Sequence, residues 1–426
     1  TRRSLNVNFY MSSRRYTRTE RVNEYYQNTK YLNMEQVTIG MAGAGRATEL
    51  HIMALKRFLG VPVRLKTIVA RRKEQLEEAQ RLYGFEQISY SFDDMINDPE
   101  IDVIDICTPP YAHEEMIEKA MMAGKHVICE KPLTGYFGTP GDEEPIGDKV
   151  PKRVMYLKML EQIRYLRTVI KKTGKKFMYA ENFVYAPAVR KTAEIIKAKK
   201  SRILFMKGEE SLKGSSSPVA GEWSKTGGGT MIRTGAHPLS AILWLKQQEA
   251  QARGVEIKVK SVLGVMDRIT PQLNEYEHRH IAARPHDVED FGTIILDFTD
   301  GTKAVVIATD TLLGGSKNYV ELYCNDAAIN CNLTMSNLMS TYFLDEDNLD
   351  DVYISEMLPS KTGWNNPFLE DEIIRGYTDE MRDFMECVYY DREPQSGFTL
   401  AYDTIKIIYA AYMSAELGNK VELNAF

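Results

Sequence analysis

The sequence predicts an α/β unit built on a parallel, doubly wound sheet, followed by an α+β unit. Three observations lead there. A glycine turn, GAGRAT (43–48), stands between an apolar strand and a helical stretch. Strands and helices then alternate as far as residue 130. After residue 175 strand signals crowd together with few helices between them, a run that fits an α+β arrangement.

Taken in order, QVTIGMA (36–42) alternates as a strand does. GAGRAT follows, then ELHIMALKRFLG (49–60), helical and closed by Gly60, and LKTIVA (65–70), a second strand. A strand, a GxGxx turn and a helix make the phosphate cradle of a Rossmann dinucleotide-binding domain. Gly43 allows the tight turn, and Gly45 lets the backbone approach a pyrophosphate at the helix N-terminus. Ala44, Arg46 and Ala47 complete the turn, and Thr48 takes the third fingerprint position, where Gly or Ala is usual. The second strand should end in an acid for the ribose 2′-hydroxyl if the cofactor is NAD. It runs instead into Arg71 and Arg72, with no Asp or Glu between residues 61 and 73. An arginine fork suits a 2′-phosphate, so NADP is favoured and NAD is the alternative. IDVIDICTPP (101–110) is a fourth strand broken by its prolines, YAHEEMIEKAMMAG (111–124) a helix, and HVICE (126–130) a fifth strand. Ligands lie beyond the carboxyl ends of such strands, which adds Thr108, Pro109, His113, Glu130 and Lys131 to the expected cofactor-binding set.

The 426 residues allow two or three domains, and a net charge of −5 carries no electrostatic footprint for nucleic acid. No apolar run approaches the roughly 20 residues of a membrane span, and no apolar core of a secretory signal is visible near the N-terminus. The five cysteines are scattered, with no pattern for zinc, so reduced thiols, no metal and a cytoplasmic location are expected. Residues 1–34 hold seven Lys/Arg against two Glu and almost no aliphatic residues. They read as a basic tail preceding a start at Met34, or as an arm that docks on a partner subunit. The expected divisions are therefore 1–34, a dinucleotide-binding domain at 35–155, and a substrate-binding and oligomerisation domain at 156–426.

GAGRATELH and ICTPPYAHEEMIEKAMMAGKHVICEKPL closely resemble the Gfo/Idh/MocA oxidoreductases. The similarity continues in AENFVYAPAVRKTAEII (180–196), GGGTMIRTGAHPLSAILWL (227–245), VEDFGTIILDFTDGTKAVV (288–306) and AYDTIKIIYAAYMSAE (401–416). The resemblance implies a second domain with a large, mostly antiparallel open sheet, one face covered by helices and the other packed on a second subunit. A homo-oligomer, dimer or tetramer, is thereby implied. Residues 134–151, rich in Gly, Pro and acids, and the polar stretch 334–368 exceed the usual family lengths. The first reads as a loop beside Lys131, either a surface insertion or a lid or contact.

The resemblance also implies the chemistry. Hydride transfer from an alcohol needs a group that takes the hydroxyl proton, work attributed in the family to the lysine of EKP and a histidine in a DxGxH-like segment. The matching residues are Lys131 and His237. Where the family usually has Asp four residues before that histidine, this chain has Arg233, which is no base, and which either binds substrate or turns away to pair with Glu181 or Glu222. Asn182, Tyr185 and Trp223 are further substrate-side candidates or core residues. The expected activity is NAD(P)-dependent oxidation of a secondary alcohol of a sugar, glycoside or cyclitol. The alternatives are a glycosidase or lyase working by transient oxidation, and a nucleotide-binding regulator without chemistry.

Overall fold

The strand–turn–helix start forms as its pattern dictates. In the computed structural model β1 (Val37–Ala42) is buried along its whole length, as a strand covered on both faces must be. The structure describes residues 35–423 except 58–59, 216, 218, 335–338, 348, 351, 353, 355–359 and 368–370; the expected N-terminal arm lies outside the described residues. Helix α1 (Arg46–Arg57) leaves the glycine turn directly and leads to β2 (Val63–Val69). There follow α2 (Lys73–Tyr83), β3 (Gln87–Ser89), α3 (Phe92–Asn97), β4 (Val103–Ile106), α4 (His113–Met122) and β5 (His126–Glu130). These strands make a parallel sheet in the order β3-β2-β1-β4-β5-β6.

Its sixth strand is β6 (Phe177–Ala180), which pairs parallel with β5 through Val127↔Phe177 and Glu130↔Ala180. The sequence reading set residues 177–180 among the strands of the second unit and ended the first at 155. The structure corrects this, because strand character does not reveal which sheet a strand joins. The crossover is the 22-residue helix α5 (Lys152–Thr173), stopped by Gly174 in the left-handed region at φ 63. A helix of that kind returns the chain to a parallel neighbour.

Beyond α6 (Pro187–Lys199), β7 (Ile203–Ser211) and α7 (Ala236–Arg253), a second sheet is built by β8 (Val259–Asp267), β9 (Phe291–Phe298), β10 (Lys303–Thr309), β11 (Lys317–Cys324) and β12 (Ala328–Asn332). The chain ends with α8 (Tyr377–Tyr389), α9 (Phe398–Leu417) and an edge strand at 421–422. The sheet order is β12-β11-β7-β10-β9-β8 and then that edge strand; among the described residues only β7 and β10 of this sheet pair in parallel. This is the large, mostly antiparallel sheet expected. The residues facing α7 and α9, such as Met206, Val262, Ile294 and Val306, are fully buried. The long stretch 334–368 is described only in part, and there residues 341–343 and 363–365 pair antiparallel.

The loop at 134–151 is bound into the core. Trp223 donates its indole N–H to the Tyr136 carbonyl at 3.1 Å. The buried Asp287 carboxylate accepts from the Gly147 N–H at 2.9 Å and the Trp223 N–H at 2.7 Å. A methyl on Gly147 would stand 2.0 Å from the Asp287 carbonyl oxygen, so only glycine fits that approach. Asp287→Ala leaves two buried N–H groups without acceptors, and each such group costs about 1–3 kcal/mol. Urea unfolding is expected to show a loss of about 2–5 kcal/mol; a loss below about 1 kcal/mol would mean that this loop is not held by Asp287.

Candidate active site

The glycine turn closes through hydrogen bonds from the Gly43 N–H to the Val69 carbonyl (2.8 Å) and from the Thr48 hydroxyl to the Gly43 carbonyl (3.0 Å). Thr48 is fully buried, so its hydroxyl pins the turn and its bulk stays beneath the helix. Gly43 has φ 111, and a methyl there would lie 2.5 Å from the Cys107 carbonyl oxygen. At Gly45 the position of a methyl has no atom within 4 Å, which is open space over the N-terminus of α1. That space and those N–H groups suit a pyrophosphate. Ala44 and Ala47 are half-buried beside it, and Arg46 is exposed and paired with Glu49. Arg71 and Arg72 are exposed just past β2, and Arg71 reaches the Tyr111 hydroxyl at 3.4 Å.

Thr108 and Pro109 follow β4, and Lys131 follows β5. His113 is buried behind them, with Nδ1 2.9 Å from the Pro132 carbonyl and Nε2 2.8 Å from the Thr108 carbonyl. It ties the two strand-end loops together and does not face the open cradle. Burial, outweighing those carbonyls, lowers its pKa.

Lys131 is half-buried, and its ammonium donates to the main-chain carbonyl of Arg233 at 2.5 Å. Residues Met231–Gly235 form a single π turn ahead of α7. The Arg233 carbonyl, which lies within this turn, accepts from the lysine.

His237 lies one turn further, stacked on Phe183 at 5.0 Å, with Nδ1 2.7 Å from Glu181 Oε1 and Nε2 4.0 Å from Glu210. Burial, deepened by Lys131, lowers the imidazole pKa to about 3; burial raises that of Glu181 to about 8. The two therefore meet as neutral groups, with the proton on the carboxyl. Lys131, His237 and Glu181 converge where β5, β6 and the start of α7 meet.

Arg233 does not pair with Glu181 or Glu222, the partners the sequence reading considered; its guanidinium pairs with Asp310, at the end of β10. Three substrate-side candidates turn out to be packed. Trp223 is 2% exposed and lies against Tyr412 and the Lys152 ammonium. Tyr185 is fully buried and donates to Asp383 at 2.8 Å, and the Asn182 amide donates to the Arg375 carbonyl at 3.0 Å.

Sequence reasoning missed a network behind Lys131. His51 of α1 has Nδ1 2.9 Å from Asp105 and Nε2 3.2 Å from Glu130. Burial opposes charge on this imidazole, but Asp105 and its neighbours outweigh it and raise the pKa well above the ordinary value. The same contact keeps Glu130 below the usual carboxylate range despite burial. The Glu130 carboxylate also accepts the Lys131 N–H at 2.9 Å. His51, Asp105 and Cys107 bring donor atoms within 4.8 Å of one another, a trio that metals can use, although here they already hydrogen-bond each other. Glu380 of α8 is fully buried, and burial raises its pKa well above the usual carboxylate value. No residue spacing announces these contacts, which join elements distant in sequence.

Residues 37–142 match the oxidoreductase family with an NAD-binding Rossmann fold, Gfo/Idh/MocA, and residues 202–330 match that family's C-terminal domain. The chain belongs to the Gfo/Idh/MocA oxidoreductase family. Levoglucosan dehydrogenase of Pseudarthrobacter phenanthrenivorans is 39% identical over 107 residues, 24% of this chain and 27% of that protein. The aligned stretch thus spans about a quarter of that relative's length. GenD2 from gentamicin A biosynthesis, solved with NAD, has the same fold at TM-score 0.73 and 20% identity, covering 92% of this chain and 97% of its own. Scyllo-inositol dehydrogenase from Lactobacillus casei follows at TM-score 0.68 and 16% identity, covering 92% and 100%.

The raised Glu181 pKa has a stability consequence. A carboxyl whose folded pKa exceeds its unfolded value stabilises below the unfolded pKa and loses that contribution as pH rises through the folded one. Relative to Glu181→Gln, the wild type is expected to lose thermal stability as pH rises from about 4.5 to about 8. Parallel stability curves for the two proteins across that window would contradict the protonated carboxyl.

Proposed function

We propose that this protein is a nicotinamide-dependent dehydrogenase that interconverts a secondary alcohol and its ketone on a sugar, glycoside or cyclitol. One observation carries the reading: a lysine amine and a neutral histidine converge at the carboxyl ends of the parallel strands, beside a glycine turn with open space for a pyrophosphate. The family, and the dehydrogenases of sugars and cyclitols among the relatives, support it.

Gly43–Thr48 and the strand-end residues Thr108 and Pro109 hold the dinucleotide, and when bound its nicotinamide supplies the hydride acceptor. Arg71 and Arg72, with no acid on that strand end, favour the 2′-phosphate of NADP. In oxidation the free amine of Lys131 takes the hydroxyl proton and becomes the ammonium, which returns the proton in reduction. Below about pH 8 the Glu181 carboxyl donates to His237 Nδ1, which leaves Nε2–H to hold the substrate oxygen. Glu130 orients the lysine through its N–H, and the Arg233 carbonyl anchors the amine.

The outer face of the second sheet supports a homo-oligomer. Val265, Ile295 and Tyr323 share that face and are exposed, at 53%, 37% and 43%. Apolar side chains gathered on one sheet face fit a second copy of this chain.

Lys131→Ala is expected to lower kcat by about 10²–10⁴-fold, the scale of general acid–base catalysis, while the cofactor dissociation constant stays within about threefold. Near-normal turnover in that variant would refute the role of the lysine. Fluorescence titration should show NADPH binding more tightly than NADH; tighter NADH would reject the arginine-fork assignment.

A further inference from the structure

Arg233 faces two ways. Its carbonyl holds the Lys131 amine, and its side chain lines a cavity of about 120 Å³ together with Asp310, Glu289, Ala283 and Arg284. A second depression of about 490 Å³ shares Gly221 and Arg284 with the first and extends toward Glu144 and Pro145 of the 134–151 loop. A cavity of about 150 Å³ accepts a benzene ring, so the first space admits most of a six-membered ring and the second takes what projects beyond it.

The charges around the cavity balance. Arg233 is paired with Asp310, and Arg284 donates to the Ile281 and Ala283 carbonyls at 2.6 and 2.7 Å. The buried Glu289 carboxyl accepts from the Gly229 and Met231 N–H groups at 2.8 and 2.9 Å. An anion entering here would meet two carboxyl groups, and a cation two guanidinium groups. A hydroxyl-rich neutral group meets neither penalty. The Arg233 side chain stays 18% exposed beside the nearly buried Asp310 carboxylate, so the cavity wall presents a guanidinium donor next to a carboxylate acceptor. Adjacent hydroxyls, each able to donate and accept, complement such a donor–acceptor pair.

We infer that this cavity is a subsite for a second polyhydroxylated ring, so that the substrate is a glycoside and not a free monosaccharide. The inference rests on the dehydrogenase reading for the oxidised ring. It assigns the neighbouring ring to the pocket beside Arg233 and Asp310. The side chain at 233 then sets substrate size while the main chain at 233 serves the amine.

The test compares kcat/KM, followed by nicotinamide absorbance, for maltose, cellobiose and trehalose against glucose. It uses the wild type, the charge-balanced Arg233→Met/Asp310→Asn double variant, and Ala220→Leu, which narrows the same cavity without touching a charge. The best disaccharide is expected to exceed glucose by about tenfold or more in the wild type, and both variants to lose about tenfold of that preference. No preference in the wild type, or a preference that survives both variants, overturns the subsite. Calorimetric titration of the disaccharides separates the two ideas. Binding to the wild type and not to the variants, with no sugar oxidised, upholds the cavity and sinks the reaction. Oxidation of glucose without disaccharide binding upholds the reaction and sinks the cavity, and absence of both rejects the subsite as well.

Discussion

The architecture of this site depends on one contact, the Lys131 ammonium on the Arg233 main-chain carbonyl. It joins the end of β5, the fifth strand of the nucleotide-side sheet, to the turn that starts α7, the helix on which the second sheet packs. A second contact, Glu181 to His237, runs in parallel from the end of β6 to the same helix start. Two adjacent strands are thus stitched to one helical turn, and the crevice between the sheets cannot widen without breaking buried hydrogen bonds. The π turn holds the Arg233 carbonyl where the lysine reaches it.

Behind the lysine the chain buries charge at considerable cost. Asp105, His51 and Glu130 form a fully or nearly buried run, and removing one member of such a set costs about 3–5 kcal/mol. What holds the run together is mutual: the imidazolium offsets the two carboxylates, and the Glu130 carboxylate in turn takes the Lys131 N–H. At Glu380 burial, with the neighbouring carboxylates adding to it, raises the pKa well above the usual carboxylate value. Each group takes the protonation state that its neighbours make cheapest, and the amine ends up held from both its backbone and its tip.

Much of the architecture could be read from residues alone, and the unread parts share a cause. The strand–GAGRAT–helix start, the Pro-Pro break after β4 and the lysine at the end of β5 are local patterns, and local patterns survive folding. The strand at 177–180 was misassigned to the second sheet because its partner, β5, lies across a 22-residue helix. Glu181 is 56 residues from His237, and Asp310 is 77 from Arg233, so nothing in their own neighbourhoods signals pairing. Trp223 and Tyr185 were ambiguous for another reason. An aromatic residue near a glycine run or a motif is equally at home in a core, and only the three-dimensional neighbours decide.

The same division explains how an arginine can stand where the family resemblance implies an aspartate. A guanidinium side by side with an ammonium would repel it strongly in a site this dry. Two features remove the conflict. Asp310, from a different strand, neutralises the guanidinium, and the lysine takes its anchor from a carbonyl that every residue type supplies. The position of the amine is therefore independent of the side chain at 233. That side chain, released from the chemistry of the amine, turns toward the cavity bounded by residues 282–289, where a fixed donor beside a fixed acceptor can read what the oxidised ring is attached to.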